Sequence, residues 1–250
     1  MLRTRTARLA LACAIIYIAG MGVSNLLIYR VFNVSYNDAT FVKTLLPFIF
    51  LLALWALGSF LALRNRLTPP DGPRRYPAFL VIFIPLVGMA LYYWATHGEL
   101  TPAFATPLVA TVLIGLAEEM MFRRVLYVGL LQEPQGTQIR GALLGSAVVF
   151  SLLHSVNVLA GLPFPNMLLQ LMTTFIAGLF YALMYDYTKS IGLMIASHFL
   201  WDYLIFSGAV IRIPVFSGVI TVLNIAEFVI VVVLLTKRWQ QERLSSAQNA

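Results

Sequence analysis

Two adjacent carboxylates, Glu118 and Glu119, lie in a stretch of apolar residues long enough to cross a membrane. A charged side chain at the centre of a bilayer costs about 2.5 to 3.5 kcal/mol on insertion scales, so such residues persist mainly where they pair, face a wet cavity or serve a function. Arg123 follows Glu119 by four residues, a spacing that lets the guanidinium neutralise the carboxylate on one helical face. Glu118 points about 100° away from Glu119 and can therefore face a cavity.

Two of the three histidines, His154 and His198, also lie in apolar stretches. His154 follows Phe150 by four residues and His198 precedes Asp202 by four, so each pair shares one face of a helix. The two histidines fall in different stretches, and both can therefore approach the carboxylates from neighbouring helices. Each polar group within a membrane must find a partner or water.

These residue types permit the hydrolysis of a peptide or another acyl bond. Glu118 can act as the general base that takes a proton from water, with His154 holding the same water molecule. His198 can donate a hydrogen bond to the oxyanion that forms on the substrate carbonyl. Ser155 and Ser197 adjoin the histidines, but immediate neighbours on a helix do not face each other, so covalent catalysis has little support.

The composition is that of a membrane protein. Of the 250 residues, 60% are hydrophobic and 11% are charged, and the mean hydropathy is +0.85, which leaves more apolar surface than one soluble core of this size can hide. The net charge of +7 arises from basic residues in loops beside apolar stretches, so we expect the lipid bilayer and no nucleic acid as a partner. The single cysteine, Cys13, excludes an intramolecular disulfide.

Apolar stretches bounded by proline, glycine or polar residues predict an all-α, polytopic membrane protein with about eight transmembrane helices. A cytoplasmic linker at 64–76 follows the second span, because its prolines, glycine and charges forbid a helix in lipid. The predicted spans are 9–29, 44–63, 77–95, 107–131, 141–156, 165–185, 191–207 and 216–236.

The distribution of basic residues predicts that both termini face the cytoplasm. Of the 17 Lys and Arg residues, all but Arg30, Lys43 and Arg212 fall on the side of the amino terminus. The side with the excess of Lys and Arg is the cytoplasmic one. We therefore expect the candidate residues to meet in a cavity that is open to the cytoplasm.

Three short motifs carry a family resemblance. Residues 118–123 read EEMMFR and match EExxxR, residues 150–154 read FSLLH and match FxxxH, and residues 198–202 read HFLWD and resemble a third motif, a His followed four residues later by Asn or Asp. In this order, on separate predicted helices, they resemble the CAAX protease and bacteriocin-processing family of intramembrane peptidases, also called the CPBP or Abi family. The resemblance covers about 107–207, which we interpret as a peptidase-like core within a single membrane domain at 1–250.

The resemblance implies roles for the residues of the first two motifs. Glu118 takes the place of the family's catalytic glutamate, which activates water together with the histidine at His154. Glu119 and Arg123 take the supporting positions of the first motif. We expect Phe150 to shape the site by packing.

His198 and Asp202 take the positions that the family is proposed to use for stabilising the oxyanion. The prenyl-protein members have Asn where this chain has Asp202, and an ionised carboxylate would repel an oxyanion. Asp202 must therefore be protonated, orient His198 or bind a metal. We favour the orienting role, because a carboxylate that holds the second ring nitrogen of a functional histidine is a recurrent arrangement.

The family has been classed both as metallopeptidase and as metal-free glutamate peptidase. A divalent metal such as zinc, held by Glu118, His154 and His198 together with water, is the alternative to a metal-free site. The HExxH spacing that is typical of zinc peptidases is absent from the sequence. We therefore favour a site without a metal.

We predict an intramembrane endopeptidase, of the glutamate or metallo type, that acts on a peptide or a membrane protein in the bacterial cytoplasmic membrane. The alternative is a non-proteolytic transporter or a bacteriocin-immunity scaffold that uses the same polar cluster for binding. No inverted repeat or matched pair of broken spans is evident in the sequence, and this makes a transporter the less favoured interpretation. The sequence makes no prediction of the oligomeric state.

Glu227 lies near the middle of the last predicted span, with Asn224 on the same face, and matches no family motif. We interpret it as a structural hydrogen-bonding residue, with a direct catalytic role as the alternative.

The sixth predicted span carries further polar residues. Gln170, Thr173 and Thr174 can line the same cavity or bond to neighbouring helices. Tyr181, Tyr185 and Tyr187, at and just beyond the end of this span, fit an aromatic belt near the cytoplasmic interface.

Overall fold

The structure is a computed structural model that describes residues 2–99, 101–133 and 138–248. Within these ranges the chain forms helices and no strand, which confirms the predicted all-α class. The predicted domain at 1–250 also includes a few residues outside the described ranges. The elements in chain order are α1 (Arg5–Arg30), α2 (Phe41–Leu63), a 3-10 turn (Arg64–Arg66), α3 (Pro77–His97), α4 (Pro102–Glu119), a π-helical segment (Met120–Tyr127), α5 (Val128–Leu130), α6 (Gln138–Leu153), a 3-10 helix (His154–Ala160), α7 (Phe164–Thr188), α8 (Ile191–Phe206), α9 (Ala209–Arg212) and α10 (Pro214–Gln248).

Seven helical stretches in the described part of the chain are long and apolar enough to cross a membrane, by length and composition. The predicted span at 191–207 corresponds to α8, which has 16 residues and is ~24 Å long, shorter than a hydrocarbon core of ~30 Å. Each of the other predicted spans overlaps one of the seven. The chain is therefore an integral, multi-pass membrane protein. The seven stretches are Arg5–Arg30, Phe41–Arg66, Pro77–His97, Phe104–Leu130, Ile139–Ala160, Phe164–Thr188 and Pro214–Gln240.

The two helices that carry the first and third motifs begin at hydroxyl caps. The Thr101 hydroxyl accepts a hydrogen bond from the backbone nitrogen of Phe104 at the start of α4. The Ser190 hydroxyl accepts one from the backbone nitrogen of Leu193 at the start of α8. Such caps satisfy backbone donors that have no partner within the helix, and they fix where each helix begins.

α4 and α8 pack together with a glycine at their close approach. A Cβ atom on Gly115 would lie 3.0 Å from the carbonyl oxygen of Ile195 and 3.1 Å from the backbone nitrogen of Phe199. Both neighbours are backbone atoms, which cannot rotate away as a side chain can. Glu119 lies one turn after this glycine, and His198 adjoins Phe199. The crossing therefore brings together the acid of one motif and the histidine of another.

The predicted span at 107–131 is not one continuous α-helix. α4 ends at Glu119, and Met120–Tyr127 form a π-helical segment that begins directly after the paired carboxylates. π-helical turns bond residue i to i+5 and occur often at functional sites. The residues after Glu119 therefore take other angular positions than a regular α-helix would give them.

The helix that carries His154 also changes its geometry at the candidate residue. α6 ends at Leu153, and His154 begins a 3-10 helix that reaches Ala160, beyond the predicted end of the span at 156. Gly161 follows with φ of 85°, a left-handed conformation that glycine adopts without steric cost. This glycine ends the helix.

Candidate active site

Glu119, Arg123 and His198 form a buried charge cluster. Oε1 of Glu119 lies 2.7 Å from Nδ1 of His198 and 3.0 Å from Nη1 of Arg123. The exposed fractions of Glu119 and Arg123 are 0% and 1%. The structure thus contains the contact that the spacing of Glu119 and Arg123 predicts, and it adds a histidine from α8 to the same oxygen.

The guanidinium of Arg123 is held by charge and by aromatic rings. Its carbon atom lies 4.1 Å from the ring centre of Phe150 and 5.2 Å from that of Tyr181. Neither terminal nitrogen makes an aligned hydrogen bond with the described residues, so the short contact to Glu119 is an ion pair with imperfect hydrogen-bond geometry. Cation–π contact with two rings adds to that ion pair.

Glu118 and Asp202 lie beside the other nitrogen of His198. Nε2 is 3.7 Å from Oε2 of Glu118 and 3.5 Å from Oδ2 of Asp202. Both distances exceed those of ordinary N–H···O hydrogen bonds. Nε2 is therefore available to a substrate group, with two carboxylates next to it.

These distances revise the interpretation of Asp202 as the orienting carboxylate of His198. Glu119 makes the short contact to Nδ1, and because an ionised carboxylate only accepts, Nδ1 carries the proton. Asp202 approaches Nε2 at longer range. Glu119 reaches the ring from another helix, because Gly115 lets α4 and α8 approach closely.

His154 lies in the same region but does not touch a carboxylate. Its Nδ1 is 3.3 Å from the carbonyl oxygen of Phe150, to which it can donate a hydrogen bond. This assignment leaves Nε2 free to accept one. Among the described residues, no hydrogen bond or ion pair within 4 Å joins His154 to Glu118.

A cavity of about 120 Å³ joins the candidate residues of several helices. The segment with Phe150 and His154, α7, α8 and α10 each supply part of its wall. Glu118 adjoins this cavity through its contact with His198. The lining residues are Phe150, His154, Thr173, Thr174, Ala177, Tyr181, His198, Trp201, Asp202, Asn224 and Glu227.

Gln170 and the two threonines of α7 differ in their contacts. The Thr173 and Thr174 hydroxyls line the cavity and donate to the backbone carbonyl of Gln170 on their own helix. Gln170 instead bonds to other elements: its Oε1 accepts from Asn157, and its Nε2 donates to the Tyr36 hydroxyl. Thr173 and Thr174 therefore line the cavity, whereas Gln170 bonds to neighbouring elements.

Tyr181 was expected in an interfacial belt, and the structure places it in the site instead. It is buried, its ring centre lies 5.4 Å from that of His198, and its hydroxyl is 3.3 Å from the Ser197 hydroxyl. Gly178, one turn earlier, permits this position, because a Cβ there would come within 3.0 Å of Ala147 on α6. The sequence shows that residue 178 is a glycine, but it does not show that this glycine packs against α6.

Glu227 also lies in the cavity, and the hydrogen bond expected of it is not found. The part of the chain that the structure describes offers it no hydrogen-bond or ion-pair partner. In the sequence, the only indication that Glu227 has a function is that an acidic residue lies in the middle of an apolar span. No motif placed it near His154 and His198.

Glu118, His154 and His198 do not form a metal-binding set as they stand. No group of three His, Cys, Asp or Glu in the described ranges is arranged to hold a metal ion. Nδ1 of His198 already contacts Glu119. We therefore derive no catalytic step through a metal, and the choice between glutamate and metallo type stays a prediction.

Residues 100–204 match the family model described as type II CAAX prenyl endopeptidase Rce1-like. The matched segment contains all three motifs, from Glu118 to Asp202, and ends before α10. It confirms the resemblance to the CAAX protease family. No curated protein and no solved structure gives a significant match to the chain.

Proposed function

We propose that this chain is a CAAX-type intramembrane endopeptidase in which Glu118 activates water for attack on a peptide bond. The observation that carries the proposal is the placement of Glu118 and His198, with Oε2 and Nε2 3.7 Å apart beside a polar cavity between membrane-spanning helices. The match of residues 100–204 supports an endopeptidase at the level of the family.

The proposed reaction begins with a water molecule between Glu118 and His154. Glu118 takes one proton from the water, and the water oxygen attacks the carbonyl carbon of the scissile bond. Nε2 of His154, which bonds to none of the residues that the structure describes, accepts a hydrogen bond from the second hydrogen of the water. Glu118 then returns its proton to the leaving nitrogen as the C–N bond breaks. The products are a carboxylic acid and an amine, which exchange a proton with solvent.

The carbonyl oxygen of the substrate becomes an oxyanion during the attack, and His198 is placed to stabilise it. With a proton on each ring nitrogen, His198 donates through Nδ1 to Glu119 and through Nε2 to the oxyanion. Arg123 holds Glu119 in position from the same helix. Because these groups are fixed before substrate binds, little reorganisation is needed when the charge forms.

The proposal is tested by comparing the termini of membrane proteins in cells that carry the wild type or Glu118→Gln. Loss of a general base lowers the rate by about 10²- to 10⁴-fold, so we expect a set of new termini in wild-type cells that is absent from the variant. Glu99→Gln, which changes an exposed carboxylate at the end of α3, is the matched control and is expected to give the wild-type set.

The readout requires that Glu118→Gln accumulates in the membrane at the wild-type level. A folded Glu118→Gln protein with the same termini as wild type would overturn the proposed peptidase. It would favour the alternative in which the polar cluster serves binding or transport.

A further inference from the structure

Glu227 is the acidic residue that the proposed reaction leaves unused. It lies on α10, is 3% exposed and lines the cavity with His154, His198 and Asp202. α10 lies outside the segment that matches the family model. Its position is thus a property of this chain that the three motifs do not explain.

The carboxyl group of Glu227 has no partner among the described residues. No hydrogen bond or ion pair reaches it, and its oxygens are not among the fully enclosed side-chain atoms, so they face the cavity. An acid without a partner in mid-membrane costs several kcal/mol, and such residues are by default functional. A purely structural role would require a partner from the protein.

The neighbouring wall of the cavity presents hydrogen-bond acceptors. The Thr173 and Thr174 hydroxyls donate their hydrogen bonds to the carbonyl of Gln170, and the Asn224 amide donates one to the carbonyl of Ile220. Their oxygens can then only accept from a ligand, while the second amide hydrogen of Asn224 is still a donor. Together with Glu227, α7 and α10 offer several acceptor atoms and no Lys or Arg among the lining residues.

The chemical complement of an acceptor wall is a row of N–H groups, as an extended peptide backbone provides. In a site shielded from water, each amide of the substrate needs a protein partner, because none is supplied by lipid. The same cavity is lined by His198, which is placed to donate to the substrate carbonyl. A peptide in this cavity would therefore find an acceptor for its N–H and a donor for its C=O.

We propose that Glu227 is a substrate-binding residue whose carboxyl oxygen accepts a hydrogen bond from a backbone N–H of the peptide next to the scissile bond. This inference rests on the proposed peptidase function. It assigns to α10 a part of the site that positions the substrate, while the residues of the three motifs carry out the reaction.

The test uses a synthetic peptide that reproduces the most abundant cleavage site found only with active Glu118. Glu227→Leu is expected to raise KM, and to lower kcat/KM by about 10- to 100-fold, because a buried N–H of the peptide is left without an acceptor. Glu227→Gln keeps a carbonyl acceptor and is expected to stay within about threefold of wild type. Thr221→Val is the matched control, since Thr221 is exposed on α10 and bonds only to Ser217 of its own helix.

Peptides with a single N-methylated amide show whether the contact is direct. Methylation of the amide that Glu227 binds should weaken cleavage by the wild type and should have no further effect in Glu227→Leu, as in a double-mutant cycle. Methylation that is equally harmful in both proteins at every position would contradict the direct contact.

Thermal unfolding in detergent separates this role from a structural one. Because no hydrogen bond or ion pair joins Glu227 to the residues that the structure describes, Glu227→Leu is expected to unfold at the same temperature as wild type or higher. A lower unfolding temperature, or an unchanged KM in a stable variant, would overturn the inference. If Glu118→Gln itself cleaves normally, the proposed function fails; if Glu118→Gln is inactive and Glu227→Leu is normal, this inference alone fails.

Discussion

Glu118 and Glu119 are neighbours in the chain but have different surroundings. Glu119 shares one oxygen between Arg123 and His198, and its side chain is fully buried. Glu118 has no short contact and keeps its nearest partner at 3.7 Å. Glu119 thus pairs with the charges of Arg123 and His198, and Glu118 is available to bind water.

Asp202 gives the first test at the scale of single residues. Asp202→Asn is expected to keep kcat/KM within about tenfold of wild type, because an amide N–H beside Nε2 of His198 can donate to the oxyanion. Asp202→Leu removes the carboxyl group beside Nε2. Loss of a protonated carboxyl that donates to the oxyanion is expected to lower kcat/KM by about 10²- to 10³-fold, as the loss of one oxyanion donor does. The measurement is cleavage of the peptide substrate by each purified variant.

The comparison of the two Asp202 variants is informative in both directions. If Asp202→Asn is as inactive as Asp202→Leu, the ionised carboxylate itself is needed, as a base or as a metal ligand. Sequence reasoning alone could not choose among the roles of Asp202, because the choice depends on which residue occupies Nδ1 of His198, and Glu119 comes from a different helix.

At the scale of the helices, Gly115 sets the distance between α4 and α8. Gly115→Ala would place a methyl group 3.0 Å from a backbone oxygen of α8, and overpacking of this kind costs about 1–3 kcal/mol. We expect a lower unfolding temperature and reduced cleavage, because Glu119 and His198 move apart. Unfolding in detergent and peptide cleavage are the measurements.

Gly88→Ala on α3 is the matched control, since a Cβ at Gly88 meets no atom within 4 Å. In a helix interior this change is expected to be neutral or stabilising, because alanine loses less backbone freedom than glycine on folding. Equal effects of the two substitutions would refute the close approach at Gly115.

The helices themselves follow from the sequence, and their irregular turns do not. Long apolar runs between proline, glycine and polar residues predict eight transmembrane helices. In the described part of the chain seven helical stretches are long enough to cross a membrane, and the eighth, α8, is shorter. The π-helical segment at Met120–Tyr127 and the 3-10 helix at His154–Ala160 depend on packing against other helices. Local spacing found Arg123 as a partner of Glu119, whereas His198 required the crossing at Gly115.

At the scale of the whole molecule, the direction of the chain through the membrane is open to a direct test. We propose that both termini face the cytoplasm, in line with the excess of Lys and Arg on that side. In a Cys13→Ala background, single cysteines are introduced as Asp71→Cys in the linker and Glu99→Cys after α3, where both residues are exposed. A membrane-impermeant maleimide then labels intact cells or opened membranes.

The expected pattern is labelling of Glu99→Cys in intact cells and of Asp71→Cys only after the membrane is opened. The two positions flank α3, which crosses the membrane once, so each serves as the control of the other. The reverse pattern would place the amino terminus outside and would contradict the proposed orientation of the chain.

The cavity of about 120 Å³ has room for on the order of four water molecules. A stretch of polypeptide is larger than this, so the enclosure must widen each time a substrate enters. Among the long apolar helices of the described residues, α10 is the least buried, with 17% of its apolar window inside the molecule, and it forms part of the cavity wall. Widening the cavity by moving α10 would therefore displace mainly lipid. The catalytic rate would then depend on the fluidity of the surrounding bilayer as well as on the chemistry of the carboxylates.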